Sequence, residues 1–327
     1  MEKYRHVFER FATFDNMYDG YLKARKHKRQ QDCVLQYTNL LEDNLIDSVN
    51  RLQWHEYHTG QLHQFYEYYP KLRLISSLPF YDRVINCAAH NVLWPIYRKS
   101  MYEYSFGSIE EKGPIRASRT VQQWMRSYAR KPGDWYIVKM DIAKFFFRIP
   151  VDIQLRELSK PLDDPDMVWF LEQAIRCDGR PLGLPVYCTD VTTAERISGI
   201  GMQVGSLISQ MTANVVMTPT DYYIKRELRV PEHARFMDDM MCIVDGKKAA
   251  WEVVGYVDDY LRTNVGLQLN DKTAVIPLGK PVEFVGRKIT PDKIELRRQT
   301  SLGMKKHLRY VREAYGRGDV PLEYALS

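Results

Sequence analysis

Two adjacent carboxylates, Asp238 and Asp239, stand between two short apolar runs in Arg235-Phe236-Met237-Asp238-Asp239-Met240-Met241-Cys242-Ile243-Val244. The flanking runs read as strands and Asp suits a tight turn, so the segment predicts a β-hairpin with an acidic tip. Carboxylates forced together raise each other's pKa, and a divalent cation relieves the repulsion. An oxygen-only donor set selects Mg²⁺, with Mn²⁺ as the alternative. A further acid, Asp141, ends the apolar run Trp135-Tyr136-Ile137-Val138-Lys139-Met140 and is followed by helix-compatible residues. An acid at the end of a buried strand needs compensating charge. Each feature alone has an ordinary explanation: Asp141 could cap a helix, and Asp238-Asp239 could be a solvated turn. Jointly, the three acids suit two cations about 4 Å apart that clamp the attacking and leaving oxygens of an in-line displacement.

The rest of the chain must bring these acids together. Its 327 residues can bury a large core and form several subdomains. With 45% hydrophobic and 27% charged residues, the composition is that of an ordinary globular protein. A net charge of +6 permits nucleic-acid binding without proving it. The 22 tyrosines and 12 phenylalanines supply rings for base stacking, although core packing is their commoner use. The N-terminus is polar from Glu2 onward, and no apolar run approaches the ~20 residues of a membrane span. Cys33, Cys87, Cys177, Cys188 and Cys242 are scattered, which argues against zinc or a disulfide framework and fits a reducing cytoplasm.

Residues 1–60 read as helical, with Leu40, Leu41, Leu45 and Val49 at helical spacing. The basic cluster Lys23, Arg25, Lys26, Lys28 and Arg29 is either a solvated helix end or an RNA-backbone contact. A β-ribbon is expected over 62–76 around a Pro70-Lys71 turn, then a helix from Asp82 to Tyr97. Leu207 to Leu228 reads as a long helix that Pro219 should kink or break. An amphipathic helix over 249–264, an alternating strand from Val282 to Ile289 and a helix from Thr300 to Tyr315 follow. In that last helix Leu308, Val311 and Tyr315 share one side, and Lys305, Arg309 and Arg312 another.

These blocks resemble the reverse transcriptases of bacterial retroelements. In that family an acid-bearing strand (here Val138 to Phe146) and an aromatic-x-Asp-Asp hairpin (here Phe236 to Asp239) hold two catalytic metals. Most members carry Tyr where this chain has Phe236, a swap that keeps the ring and should preserve activity. The block Gly199-Ile200-Gly201-Met202-Gln203-Val204-Gly205-Ser206-Leu207-Ile208-Ser209-Gln210 narrows the likeness. Most bacterial members have Gln-Gly and then Ser-Pro here. Val204-Gly205 followed by Ser209-Gln210 is similar to the reverse transcriptases of diversity-generating retroelements. The run from Phe11 to Lys26, and Lys71 to Ile75 followed by Phe80 to Val84, resemble that group too.

The resemblance implies an α+β right-hand polymerase fold. N-terminal helices and fingers would occupy 1–134, and a ferredoxin-like antiparallel palm 135–289 with a fingers-associated insertion near 150–205. A short helical thumb would occupy 290–327; relatives continue further, which leaves a complete short thumb and a truncated one as alternatives. Asp141, Asp238 and Asp239 would be catalytic, with the Ile142 carbonyl joining one of two Mg²⁺ (or Mn²⁺) ions. Lys71 and Arg73 would hold the triphosphate, a task that suits the arginine fork. Phe146 would pack under the sugar and exclude a 2′-hydroxyl, with Val204, Gly205 and Gln210 near the nucleotide. Lys272 matches a lysine that protonates the leaving pyrophosphate, although a plain surface lysine is the other reading. Phe284 and Gly286 fall at the primer grip, and Lys305 and Arg309 along the duplex.

Val204 cannot make the hydrogen bond a Gln would offer near the nascent base pair, which implies loose selection opposite template adenine. Implied partners are a structured template RNA, the RNA–cDNA duplex, dNTPs and a small basic accessory protein, with no membrane. One departure stands out: Ile109, with Glu110 and Glu111 behind it, occupies the place of an Arg in many relatives, leaving Arg116 or Arg119 to compensate. Competing readings are an antiphage-defence or abortive-infection reverse transcriptase, an RNA-dependent RNA polymerase, and an inactive RNA-binding palm. The ring at 146 and the full acid set argue against the last two.

Overall fold

The structure, a computed structural model, describes residues 3–68, 73–185, 188 and 195–321; the side chains of Arg73 and Asp178 also lie outside the description. Lys71, expected on the fingers ribbon, is outside the described residues.

The chain opens with helices α1 (Val7–Phe11), α2 (Phe14–Ala24), α3 (Asp32–Asn39) and α4 (Leu41–Gln53). A two-stranded ribbon, β1 (His63–Glu67) and β2 (Arg73–Ser77), leads to α5 (Phe80–Arg98) and α6 (Pro114–Tyr128). Strand β3 (Trp135–Asp141) is followed by α7 (Phe145–Arg148), α8 (Val151–Ser159) and α9 (Pro165–Arg176). The N-terminal helices do not form a core alone. Phe11, Tyr21, Leu45 and Val84 share one apolar cluster with Leu158 of α8 and Phe170 of α9. Asp164 fixes that union, because its carboxylate caps α9 at Met167 N (3.0 Å) and also accepts from Val7 N (2.6 Å) and Phe8 N (2.9 Å) at the start of α1.

The second half contains α10 (Leu207–Tyr222), β4 (His233–Phe236), β5 (Asp239–Asp245), α11 (Lys247–Tyr260) and β6 (Ala274–Pro277). Strands β7 (Val282–Phe284), β8 (Arg287–Ile289) and β9 (Ile294–Leu296) form a small sheet before helix α12 (Arg298–Gly316). The central sheet has the order β4-β5-β3-β6 with antiparallel neighbours throughout. With helices between β3 and β4 and between β5 and β6, this is the ferredoxin-like arrangement.

Strand alternation decides which face carries the acids. Val138, Met140, Met240 and Cys242 pack with Val216 and Met217 of α10 and Val253 and Val257 of α11. Ile137, Met241 and Ile243 point the other way, onto Val121 and Met125 of α6 and Val282 and Phe284 of β7. Asp141, Lys139 and Asp239 share this second face by register, since Asp141 pairs with Asp239 and Ile137 with Ile243.

Three expectations need correction. Of the kink or break expected at Pro219, the break does not occur: helix α10 runs through it, and a wider π-type turn, Tyr223–Glu227, follows. Proline removes the hydrogen bond to the carbonyl four residues earlier and crowds that carbonyl, and the tertiary packing of α10 outweighs both costs. The expected strand over 282–289 is a hairpin instead: Val285 (φ 48°) and Gly286 (φ 74°) turn the chain between β7 and β8. In α12 only Val311 of the expected apolar side is buried; Leu308 and Tyr315 are exposed, while Ala314 is covered.

Candidate active site

The register of β3 against β5 sets Asp141 directly opposite Asp239. Strands β4 and β5 close at Phe236 and Asp239, so Met237 and Asp238 are the two turn residues. Met237 takes a φ of 57°, as the tight hairpin turns that match strand twist require. Ile142 N donates to Asp238 O (3.2 Å), carrying the ladder one step past β3 and tying the turn to the strand end. All three acids therefore lie at one end of the central sheet, although 97 positions separate Asp141 from Asp238 in the chain (238 − 141 = 97).

The electrostatics at this end favour a cation. Burial pushes the Asp239 carboxyl up to about 7, and Asp141 and Asp238 push it the same way; Lys139 and the Val285 backbone N–H pull against them. Asp239 Oδ1 is buried without a hydrogen-bond partner, and the nearest cation is Lys139 Nζ at 3.9 Å. Asp141 is held by Asn270, whose side-chain amide donates to Asp141 Oδ2 and whose backbone N–H donates to Asp141 O (2.8 Å). Among the described residues no three His, Cys, Asp or Glu side chains converge as a ready-made metal cage. Mg²⁺ seldom uses one: it takes one or two carboxylates and completes its shell with water and substrate phosphate. The oxygen donors and the orphaned Asp239 Oδ1 fit that pattern.

Residues 68–289, more than half of the chain, match the family described as reverse transcriptase (RNA-dependent DNA polymerase). The chain belongs to the reverse transcriptase family. Protein YkfC of Escherichia coli (strain K12) is 21% identical over 252 residues, which cover 67% of this chain and 63% of that protein, so the chain spans under two thirds of that relative. A telomerase from Candida albicans, solved in complex with a TWJ fragment of telomeric RNA, aligns with 73% of this chain and 45% of its own at 13% identity and a TM-score of 0.49. Apo telomerase from Candida tropicalis, truncated from its C-terminal domain, aligns with 73% of this chain and 55% of its own at 11% identity and a TM-score of 0.49.

Around the acids of this family member, the other expected residues fall into two groups. Phe146 on α7 is half-buried beside the second-half core, and its carbonyl accepts from Met202 N (2.8 Å). Gly201 N donates to Ile149 O (2.8 Å), so the glycine-rich block lies as backbone along the segment that follows Phe146. Val204 O accepts from Ser76 N of β2 (3.3 Å), and Gly205 beside it is exposed. Gln210 is half-buried on the first turns of α10. Val204 and Gly205 thus lie between the β1–β2 ribbon and the start of α10, which carries Gln210. Arg73 opens β2 opposite Glu67, and its side chain is outside the description.

The second group borders the acids from the C-terminal side. Lys272 is exposed, and its N–H donates to Asn270 Oδ1 (2.9 Å), two residues from the amide that holds Asp141. Phe284 is 1% exposed, so its ring belongs to the core and is not open to a partner. Lys305 and Arg309 are exposed on α12. Ile109 is buried, which accounts for an apolar residue at that place; Arg116 and Arg119 are exposed.

Sequence reasoning missed Lys139, Asn270 and Val285. Lys139 had a legible signal, a cation two residues before an acid on the same strand face. Asn270 and Val285 act across long sequence distances, one of them through its backbone, and left no local pattern.

Proposed function

We propose that this chain is an RNA-directed DNA polymerase that copies a structured RNA into cDNA, with the loose adenine selection of diversity-generating retroelements. The observation that carries the reading is the pairing of Asp141 with Asp239 beside the turn that holds Asp238. The Val204-Gly205 and Ser209-Gln210 pairs support the retroelement type.

Asp141 and Asp238 would hold two Mg²⁺ ions, with Mn²⁺ as substitute; Asp239 would support one of them, and the Ile142 carbonyl would join the second. Bound there, the ions lower the pKa of the primer 3′-hydroxyl and neutralise the triphosphate. The chain's own residues do the positioning. Asn270 keeps the Asp141 carboxylate turned toward the sheet end. Lys139 balances part of the negative charge before substrate arrives. Arg73 and Lys71 would grip the triphosphate, Phe146 would press under the sugar, and Lys272 would serve the leaving pyrophosphate. The Val285-Gly286 turn offers backbone to the primer end, and Lys305 and Arg309 would follow the duplex. Residues 1–134 would act as fingers, 135–289 as palm and 290–327 as thumb. The exposed cluster Lys26, Lys28 and Arg29 suits the phosphates of the template RNA. A small basic protein is the expected accessory partner.

Primer extension on an RNA template with Mg²⁺ and either dNTPs or rNTPs tests the activity; DNA product from dNTPs alone is expected, and no product would end the reading. Sequencing cDNA from the parent and Val204→Gln tests the type. A gained hydrogen bond of about 1 kcal/mol should lower errors at template adenine by roughly fivefold. Equal adenine error rates would remove the diversity-generating assignment and leave the polymerase.

A further inference from the structure

Behind the catalytic hairpin lies a polar cluster that the chemistry above does not use. Arg235, Asp221 and His233 are each 0% exposed, an unusual place for three ionisable side chains. Arg235 Nε donates to both Asp221 oxygens (3.0 and 2.9 Å), and His233 Nε2 lies 2.9 Å from Asp221 Oδ1. Burial alone would raise the Asp221 carboxyl, but the Arg235 guanidinium and the hydrogen bond from His233 outweigh it and keep the carboxyl below its usual range. An ionised carboxylate only accepts, so His233 Nε2 carries the proton.

The other arm of the guanidinium reaches toward the catalytic turn. Arg235 Nη1 donates to Asn214 Oδ1 (3.1 Å) and to Met237 O (3.3 Å), the carbonyl immediately before Asp238. Asn214 extends the contact outward: it accepts from Ser105 Oγ (3.2 Å), and its Nδ2 donates to Gly107 O (2.8 Å). The segment around Ser105 pairs with β4 through Arg235 N to Tyr104 O (3.0 Å) and Phe106 N to Arg235 O (2.8 Å). Gly107 then lies so close that a Cβ there would sit 2.8 Å from Met237 N. Met237 is a non-glycine residue at positive φ, a strained conformation that persists only when its surroundings enforce it. Arg235 touches it from within its own strand and Gly107 from the side.

We infer that Arg235 is a positioning residue. Braced by Asp221 and Asn214, it fixes the Met237 carbonyl and so aims Asp238 at the metal site. The inference rests on the polymerase reading for its kinetic consequence, but its central readout is metal binding without turnover. Lysine keeps the charge and loses the fork, so Arg235→Lys can satisfy Asp221 but not Met237 O at the same time. The double variant Arg235→Met/Asp221→Leu removes the buried pair as a unit, a change that proteins often accept without loss of stability.

The experiment compares parent, Arg235→Lys and the double variant by thermal melting, by Mn²⁺ binding followed through electron paramagnetic resonance of the free ion, and by primer extension. Arg235→Lys should fold, bind Mn²⁺ about tenfold more weakly and lose roughly 10- to 100-fold in kcat with little change in the KM for dNTP, the range seen when a partner that orients metal ligands is lost. The double variant should recover melting temperature without recovering Mn²⁺ binding. Parent-like Mn²⁺ binding in folded Arg235→Lys would overturn the inference and reduce the cluster to a brace of the fold. The same holds if the double variant recovers stability and metal binding together. A parent that binds Mn²⁺ but extends no primer would end the polymerase reading, and the binding comparison would still decide the role of Arg235.

Discussion

Two hairpins of this molecule are built on opposite plans. In β4–β5 every residue of β4 but Phe236 is buried, as are Met240 to Ile243 of β5. In β1–β2 all five residues of β1 are exposed, and β2 is joined to the glycine-rich block by Ser76 N to Val204 O. A two-stranded ribbon is marginal by itself, and the buried Leu74 and Ser76 of β2 tie this one to the rest of the chain, whereas the turn at Asp238 is fixed from several sides. The contrast matches the tasks proposed for them. Metal-bound charge needs donors that do not move during the reaction. A hairpin that receives each new nucleotide must let it in and out.

Substitutions can break this contrast. The largest effect is expected at the rigid end. Asp141→Asn keeps the shape beside Asn270 and removes the charge. Because metal-based charge stabilisation is worth several kcal/mol, single-turnover extension should fall on the order of 10³-fold or more. Circular dichroism should show an intact fold; retained extension would exclude Asp141 from the chemistry.

At the open end the expected effect is smaller and of another kind. Loss of a charged hydrogen bond worth about 1.5–3 kcal/mol in Arg73→Ala should raise the KM for dNTP roughly 10- to 100-fold, with kcat little changed. A fall in kcat at unchanged KM would assign Arg73 to the transition state and blur the division between the two hairpins. Phe146, beside the central sheet, should govern sugar choice: Phe146→Ala is expected to cut dNTP-over-rNTP preference by roughly 10- to 100-fold, the scale of steric discrimination in a fitted pocket. Competition between the two nucleotide types measures it, and unchanged preference would remove that role.

The smallest effect concerns stability and pH. Asp239 has its carboxyl raised to about 7 from 3.8, mainly by burial. The folded state therefore holds that proton more tightly than the unfolded chain. Its ionisation destabilises the metal-free fold as pH rises from near 4 through 7, and the full cost is present above 7. Asp239→Asn should accordingly melt higher than the parent at pH 8, by about 1–2 °C for each kcal/mol recovered, and the gap should close toward pH 4. A gap that does not change with pH would mean that the carboxyl is not the strained group. By the same sign, the parent should bind Mn²⁺ more weakly below pH 7.

Much of the rigid half was legible in the sequence. The apolar runs on both sides of Asp238-Asp239 and before Asp141 specify strands by pattern, and burial of one face leaves a single workable register. Helices α5 and α11 followed from spacing alone. Legibility failed where a local rule met tertiary packing. Pro219 predicts a kink or a break, and the helix passes through it without a break. Val282 to Ile289 alternates like one strand, yet the chain reverses at Val285-Gly286, because a β-branched residue at positive φ is too rare to be guessed. In the site, residue types marked the acids, whereas the contacts that hold them come from Asn270, Val285 and Arg235. An isolated Arg in an apolar run was visible at position 235; that its partner was Asp221 was not.

The meeting of the Val285 N–H with the Asp239 carboxylate has a consequence for engineering. The short loop between β7 and β8 belongs to the charge environment of the proposed metal site, although it carries no charge of its own. A loop grafted there from a relative would change the acidity of a residue on a different strand. If the proposed roles hold, swaps meant to alter only the grip on the growing chain would therefore also shift the pH at which these acids take up a cation.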